Sequence, residues 1–137
     1  MSPETAQDEK DIISAALNVV IPSGVEYVKD GLFSGVAADG TSVGTANKTL
    51  QTITLNGCPN ITPYMFAGCS NLIGAYIGEN TLSINDYAFK DCEKLSDVKV
   101  SNKLNSFGIR PFAGCKTLSH VEFNGNPNFI CTDAIIY

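Results

Sequence analysis

Five cysteines and a single histidine are the side chains of this sequence with the widest chemical repertoire. A thiolate can attack carbon, hold a soft metal ion or close a disulfide, and a histidine beside it can serve as its base. Their spacing argues against each use. Cys69, Cys92 and Cys115 lie 23 residues apart. Equivalent positions of a repeat point the same way, so these thiols stack in a column. The column spacing of about 5 Å falls inside the Cα window for a disulfide, but the side chains do not converge, and a bridge would be strained. A zinc site needs ligands arriving from different directions, and no Cys-x-x-Cys pair is present. The column therefore reads as small buried hydrophobes. Cys58 and Cys131 lie outside it, and the odd total leaves at least one thiol unpaired within a monomer.

The remaining polar chemistry is equally sparse. His120 falls at an outward strand position, with Asp97 as its lateral neighbour, which reads as charge pairing on a solvated sheet face. A hydrolytic triad would need a serine in reach and an oxyanion hole. Ser119 is adjacent in sequence and should point to the opposite side. Asp86, Asp91, Glu93 and Asp97 are spread over a turn and a strand, with no spacing that sets two across a cleft. Gly78-Glu79-Asn80 lacks the alternating carboxylates of a calcium loop. Gly35, Gly40 and Gly44 are not followed by the Lys-Ser/Thr of a phosphate loop. No enzymatic activity, metal or cofactor is expected.

The elements that position these residues come from one repeated phrase. It reads Phe66-Ala67-Gly68-Cys69-Ser70-Asn71-Leu72, then Phe89 to Leu95, then Phe112 to Leu118, at intervals of 23 residues. A fixed period in the twenties marks a solenoid, whose turns share one core because no single turn encloses its own apolar side chains. Five positions before each Phe stands Ile61, Ile84 or Phe107, and two before it stands Tyr64, Tyr87 or Arg110. After each Leu come Ala75 and Ile77, Val98 and Val100, or Val121 and Phe123, the alternation of a half-buried strand. A degenerate earlier copy keeps Val28, Phe33 and Gly35, then Leu50, Ile53 and Leu55, and carries an insertion over 36–48 rich in Gly, Ala, Thr and Ser. That composition reads as a surface loop. With Val19-Val20-Ile21, about five strands are expected, in one short parallel sheet.

The stretch from Ile84 to Val100, Ile-x-x-Tyr-Ala-Phe-x-x-Cys-x-x-Leu-x-x-Val-x-Val, resembles the BspA-like leucine-rich repeat of bacterial surface proteins. Val20-Ile21-Pro22-Ser23-Gly24-Val25 is similar to the strand exit of that family. The resemblance spans roughly residues 19–123, with Arg110 and Pro111 as departures in the third copy. It implies an α/β-type right-handed coil with a parallel sheet on one face and short helical or irregular turns on the other. It also implies an extracellular or cell-surface location and a non-catalytic binding or adhesion role, with a phage tail-associated or fibre-like structural component as the alternative.

Composition bounds the partners. The chain has 137 residues and a net charge of −5. Its nine Lys and Arg are scattered, which argues against a phosphate-tracking nucleic-acid surface. No apolar run approaches the ~20 residues of a membrane span. The polar, acidic start Met1-Ser2-Pro3-Glu4-Thr5 does not read as a signal peptide. Residues 1–18 are expected to form a helical cap or a partly disordered lead: Ser2 can cap, Pro3 suits the first turn, and Ile12, Ile13, Ala16 and Leu17 share a face. Residues 19–123 form the solenoid. Residues 124–137 read as a turn at Asn126-Pro127-Asn128 and apolar strand material, and an uncovered edge there would invite self-association.

Recognition is expected where copies differ. The outward columns of the sheet run Val20, Thr54, Tyr76, Lys99, Glu122 and Asn18, Thr52, Gly74, Asp97, His120. Tyr76 between Thr54 and Lys99 is a candidate anchor, either for binding or simply lying over its neighbours. The candidate face is therefore Thr54, Tyr76, Asp97, Lys99, His120 and Glu122, directed at a protein or glycan surface. The insertion 36–48 is the second candidate.

Overall fold

The computed structural model describes residues 17–119 and 121–123. Eight short strands occur among them: β1 Asn18–Ile21, β2 Thr52–Leu55, β3 Asn60–Ile61, β4 Gly74–Ile77, β5 Ser83–Ile84, β6 Asp97–Val100, β7 Ser106–Phe107 and β8 Glu122–Phe123. Strands β1-β2-β4-β6-β8 form one parallel sheet in that order. Val19, Ile53, Ala75 and Val98 stand in register, as do Ile21, Leu55, Ile77 and Val100, and from β2 onward these positions are buried. The period-2 alternation of the sequence is thus the two faces of this ladder.

The expectation of one sheet is corrected. Strands β3-β5-β7 form a second, three-stranded parallel sheet. Its inner residues are Ile61, Ile84 and Phe107, the apolar positions five before each Phe. A two-residue strand is too short to show alternation, so periodicity cannot reveal it. The described residues contain strands and turns but no helix. Of the N-terminal cap expected over residues 1–18, residues 1–16 lie outside the described residues, and Asn18 already belongs to β1. The expected C-terminal turn and strand over 124–137 likewise lies outside them.

Between the sheets the repeated phrase stacks on itself. Phe33, Phe66, Phe89 and Phe112 are buried, with successive ring centroids 5.0, 5.0 and 5.1 Å apart. That is close to the ~4.8 Å step of a strand ladder, so each ring rides on its turn; Phe66, Phe89 and Phe112 are stacked, and Phe33 is tilted by 31° against Phe66. Phe33 occupies the first place, so the insertion is accommodated outside the column. Leu50, Leu72, Leu95 and Leu118 line the same core.

The cysteines have a specific place in it. Cys69 Sγ donates to Phe33 O at 3.6 Å, Cys92 Sγ to Phe66 O at 3.2 Å and Cys115 Sγ to Phe89 O at 3.1 Å. Each thiol thus reaches the backbone of the preceding turn, a weak donor that Ala or Val would lack. Cys58, Cys69, Cys92 and Cys115 are free and buried, and Cys131 lies outside the described residues. Burial pushes the Cys69 thiol up to about 12 and raises Cys58 and Cys92 as well.

Each turn reverses through two left-handed residues flanking the Phe. Two before it stand Gly31, Tyr64, Tyr87 and Arg110, and two after it Gly35, Gly68, Asp91 and Gly114, all with positive φ. The turns then bond to their neighbours like a ladder: Phe66 N donates to Ala88 O and Phe89 N to Pro111 O, both at 2.7 Å. Pro111 fits the third copy because the equivalent Met65 and Ala88 N–H groups make only local bonds, to Thr62 O and Asn85 O. The insertion 36–48 is itself ordered by an antiparallel bridge between Val36 and Ser42 and by Asn47, whose Oδ1 accepts from Thr49 N and Leu50 N.

Candidate binding face

The outward column Val20, Thr54, Tyr76, Lys99, Glu122 runs straight across all five strands of the large sheet. Asn18, Thr52, Gly74 and Asp97 form the second column beside it. Lys99 is exposed, and Thr54, Tyr76, Asp97 and Glu122 are half-buried. His120 lies outside the described residues.

Strand β4 explains the relief of this face. Its outward positions are Gly74 and Tyr76, and the next one beyond the strand is Gly78. An aromatic ring between two glycines has a bare position on either side. The Tyr76 ring lies over Gly74: a Cβ there would sit 2.5 Å from the tyrosine Oη and 2.8 Å from Cζ. Tyr76 Oη donates to Asp97 Oδ2 at 3.0 Å. Burial, then this hydrogen bond and the charge of Asp97, raise the Tyr76 pKa above its ordinary value.

Because the ring leans toward Gly74, the position over Gly78 stays empty. The ladder continues one residue past the strands, with Gly78 N bonded to Leu55 O at 2.8 Å and Ser101 N to Ile77 O at 2.9 Å. This brings Asn56, Gly78 and Ser101 side by side. The result is an open depression of about 270 Å³. Gly78 and the backbone of Ile77 and Val100, whose side chains are buried in the core, form its floor, and Thr54, Asn56, Tyr76, Lys99, Ser101 and Glu122 surround it. Ser101 Oγ is tied to Gly78 O. The side chains of Thr54, Asn56, Lys99 and Glu122 make no hydrogen bond or ion pair among the described residues.

Four of the six expected face residues therefore border one depression, and a fifth, Asp97, holds Tyr76. Asn56 and Ser101 were missed by the sequence reading. The signal was present: extending the outward alternation two residues beyond Thr54 and Lys99 reaches both.

A BspA type leucine-rich repeat model matches residues 13–137 in six copies. The chain belongs to the BspA type leucine-rich repeat family. No curated protein and no solved structure matches it. Leucine-rich repeats of this kind are protein-interaction modules, in general without enzymatic activity, and BspA type repeats are typically surface-associated. Among the described residues no group of three or more His, Cys, Asp or Glu is arranged to hold a metal ion. No helix among them is long and apolar enough to cross a membrane.

Proposed function

We propose that this chain is a non-catalytic binding module of the adhesion type, meeting a protein or cell surface through the ladder face around Tyr76. The observation that carries the reading is the depression over Gly78, to which four consecutive strand turns contribute side chains. The ladder fixes the backbone positions from which these groups project before a partner arrives, which lowers part of the ordering cost of association. An aromatic wall beside unpaired polar groups is the composition of interface anchors rather than of a catalytic centre. The described thiols, Cys58, Cys69, Cys92 and Cys115, are buried in the core, away from this face.

The test is binding of the labelled full chain to intact bacterial and host cells, compared with a Tyr76→Ala/Lys99→Ala variant and with Lys116→Ala on the turn side. Loss of the anchor pair should weaken binding by about tenfold or more, the scale of an interface hot spot. Lys116→Ala should leave it unchanged. Equal binding by the double variant, with its circular dichroism intact, would remove the ladder face from the reading.

A further inference from the structure

We infer that the seat over Gly78 takes one neutral sugar ring carried on the partner's surface, and that Asp97 is the residue that keeps this seat open. The inference rests on the ladder face being the binding face.

Size comes first. Sites that enclose a free small molecule span about 300–1,000 Å³. At about 270 Å³, and open to solvent, the depression suits a single protruding unit of a larger partner.

Charge narrows the unit. Lys99 and Glu122 are register partners on adjacent strands and are not ion-paired with each other. A ligand of either sign placed between them meets repulsion from one as it meets attraction from the other, at a separation of one strand step, about 4.8 Å. A neutral unit escapes this. It must also match the rim: Glu122 accepts, Lys99 donates, and Thr54 and Asn56 do both. A ring of hydroxyls offers donors and acceptors around its whole edge. Its C–H face suits the bare Gly78 position and the Tyr76 wall.

Asp97 acts through Tyr76. Gly74 and Gly78 are both bare outward positions flanking the tyrosine, so its ring has two beds. The hydrogen bond to Asp97 Oδ2 selects the bed over Gly74. Without it the ring is free to fall over Gly78 and fill the seat. Asp97 is thus a positioning residue, not a contact.

The experiment is saturation-transfer NMR on the full chain with the methyl glycosides of glucose, galactose, mannose and N-acetylglucosamine. N-acetyl-lysine amide and N-acetylglutamate serve as charged comparisons. At least one neutral glycoside should receive saturation, strongest at its ring C–H protons. Tyr76→Ala should weaken binding by about tenfold. Asp97→Ala should weaken it too and should lower the pH at which Tyr76 ionises, a readout that a loss of general stability does not give. Saturation of none of the four glycosides overturns the inference. So does stronger saturation of either charged probe, or unchanged glycoside binding in both variants with native circular dichroism. If the glycosides fail while the Tyr76→Ala/Lys99→Ala variant still loses cell binding, the face stands and only the ligand class falls.

Discussion

The interior of this solenoid and its ladder face are built from the same coil turns under opposite rules. Inside, Phe66, Phe89 and Phe112 are identical, fully buried and stacked. Outside, Thr54, Tyr76, Lys99 and Glu122 occupy one column and no two are the same residue. A column of like residues is what a repeating core requires, because each turn must present the same shape to the next. A column of unlike residues serves no packing purpose. The difference separates what the repeat needs from what it carries: the conspicuous residues hold the coil together, and the inconspicuous ones are free to recognise.

The sharpest way to test this division is to remove one interior ring. Phe89 lies between Phe66 and Phe112, so Phe89→Ala opens a cavity and breaks two ring contacts. A loss of about 3–5 kcal/mol is expected, read as a fall in the denaturant midpoint. Lys99→Ala in the same protein should stay within about 0.5 kcal/mol. Similar losses at the two sites would erase the distinction between core and face.

The second test uses pH. The fold holds the thiols of Cys58, Cys69 and Cys92 protonated, with pKa values raised by burial, Cys69 from 9.0 to about 12. Below pH 9 both folded and unfolded thiols are protonated, and stability is fully present. Above it the unfolded chain ionises first, so stability falls as pH rises, until the folded thiol ionises near 12. Each strongly buried thiol should cost about 1 kcal/mol per pH unit in this window. Denaturation midpoints at pH 8, 9, 10 and 11 measure the slope, and Cys69→Ala should flatten it. The half-buried Tyr76 adds a smaller effect of the same sign above its ordinary value. A midpoint that does not change between pH 8 and 11 would mean that the thiols are not sealed in the core.

Legibility in the sequence follows the same division. The ladder, its register and the burial of Phe, Cys and Leu could be read because each is repeated at a fixed interval. The second sheet could not, because strands such as Ser83–Ile84 carry no period of their own. The face residues could be placed on a column, since parity alone decides which side of a strand Tyr76 occupies. The depression could not be foreseen. It depends on which of two glycines the Tyr76 ring covers, and that choice is a side-chain hydrogen bond to a residue 21 positions away.

The smallest effect tests whether the turns are as uniform as the core. Two residues after each Phe the chain is left-handed, and three of the four copies place glycine there: Gly35, Gly68 and Gly114, with φ of 69°, 77° and 74°. The remaining copy has Asp91, at φ 59°. A side chain in this region clashes with the following carbonyl at a cost of roughly 1–2 kcal/mol, less for Asp than for most residues. Asp91→Gly relieves that strain but adds freedom to the unfolded chain, worth about 0.5–1 kcal/mol. The backbone bond from residue 91 N to Ala113 O, 2.7 Å in this structure, does not depend on the side chain. The balance is a gain of about 0.5 kcal/mol, read as a small rise in the urea midpoint with binding by the ladder face unchanged. A loss of stability would mean that the Asp91 side chain has a role of its own, and that the turn side of the coil also departs from pure repetition where something other than packing is at stake.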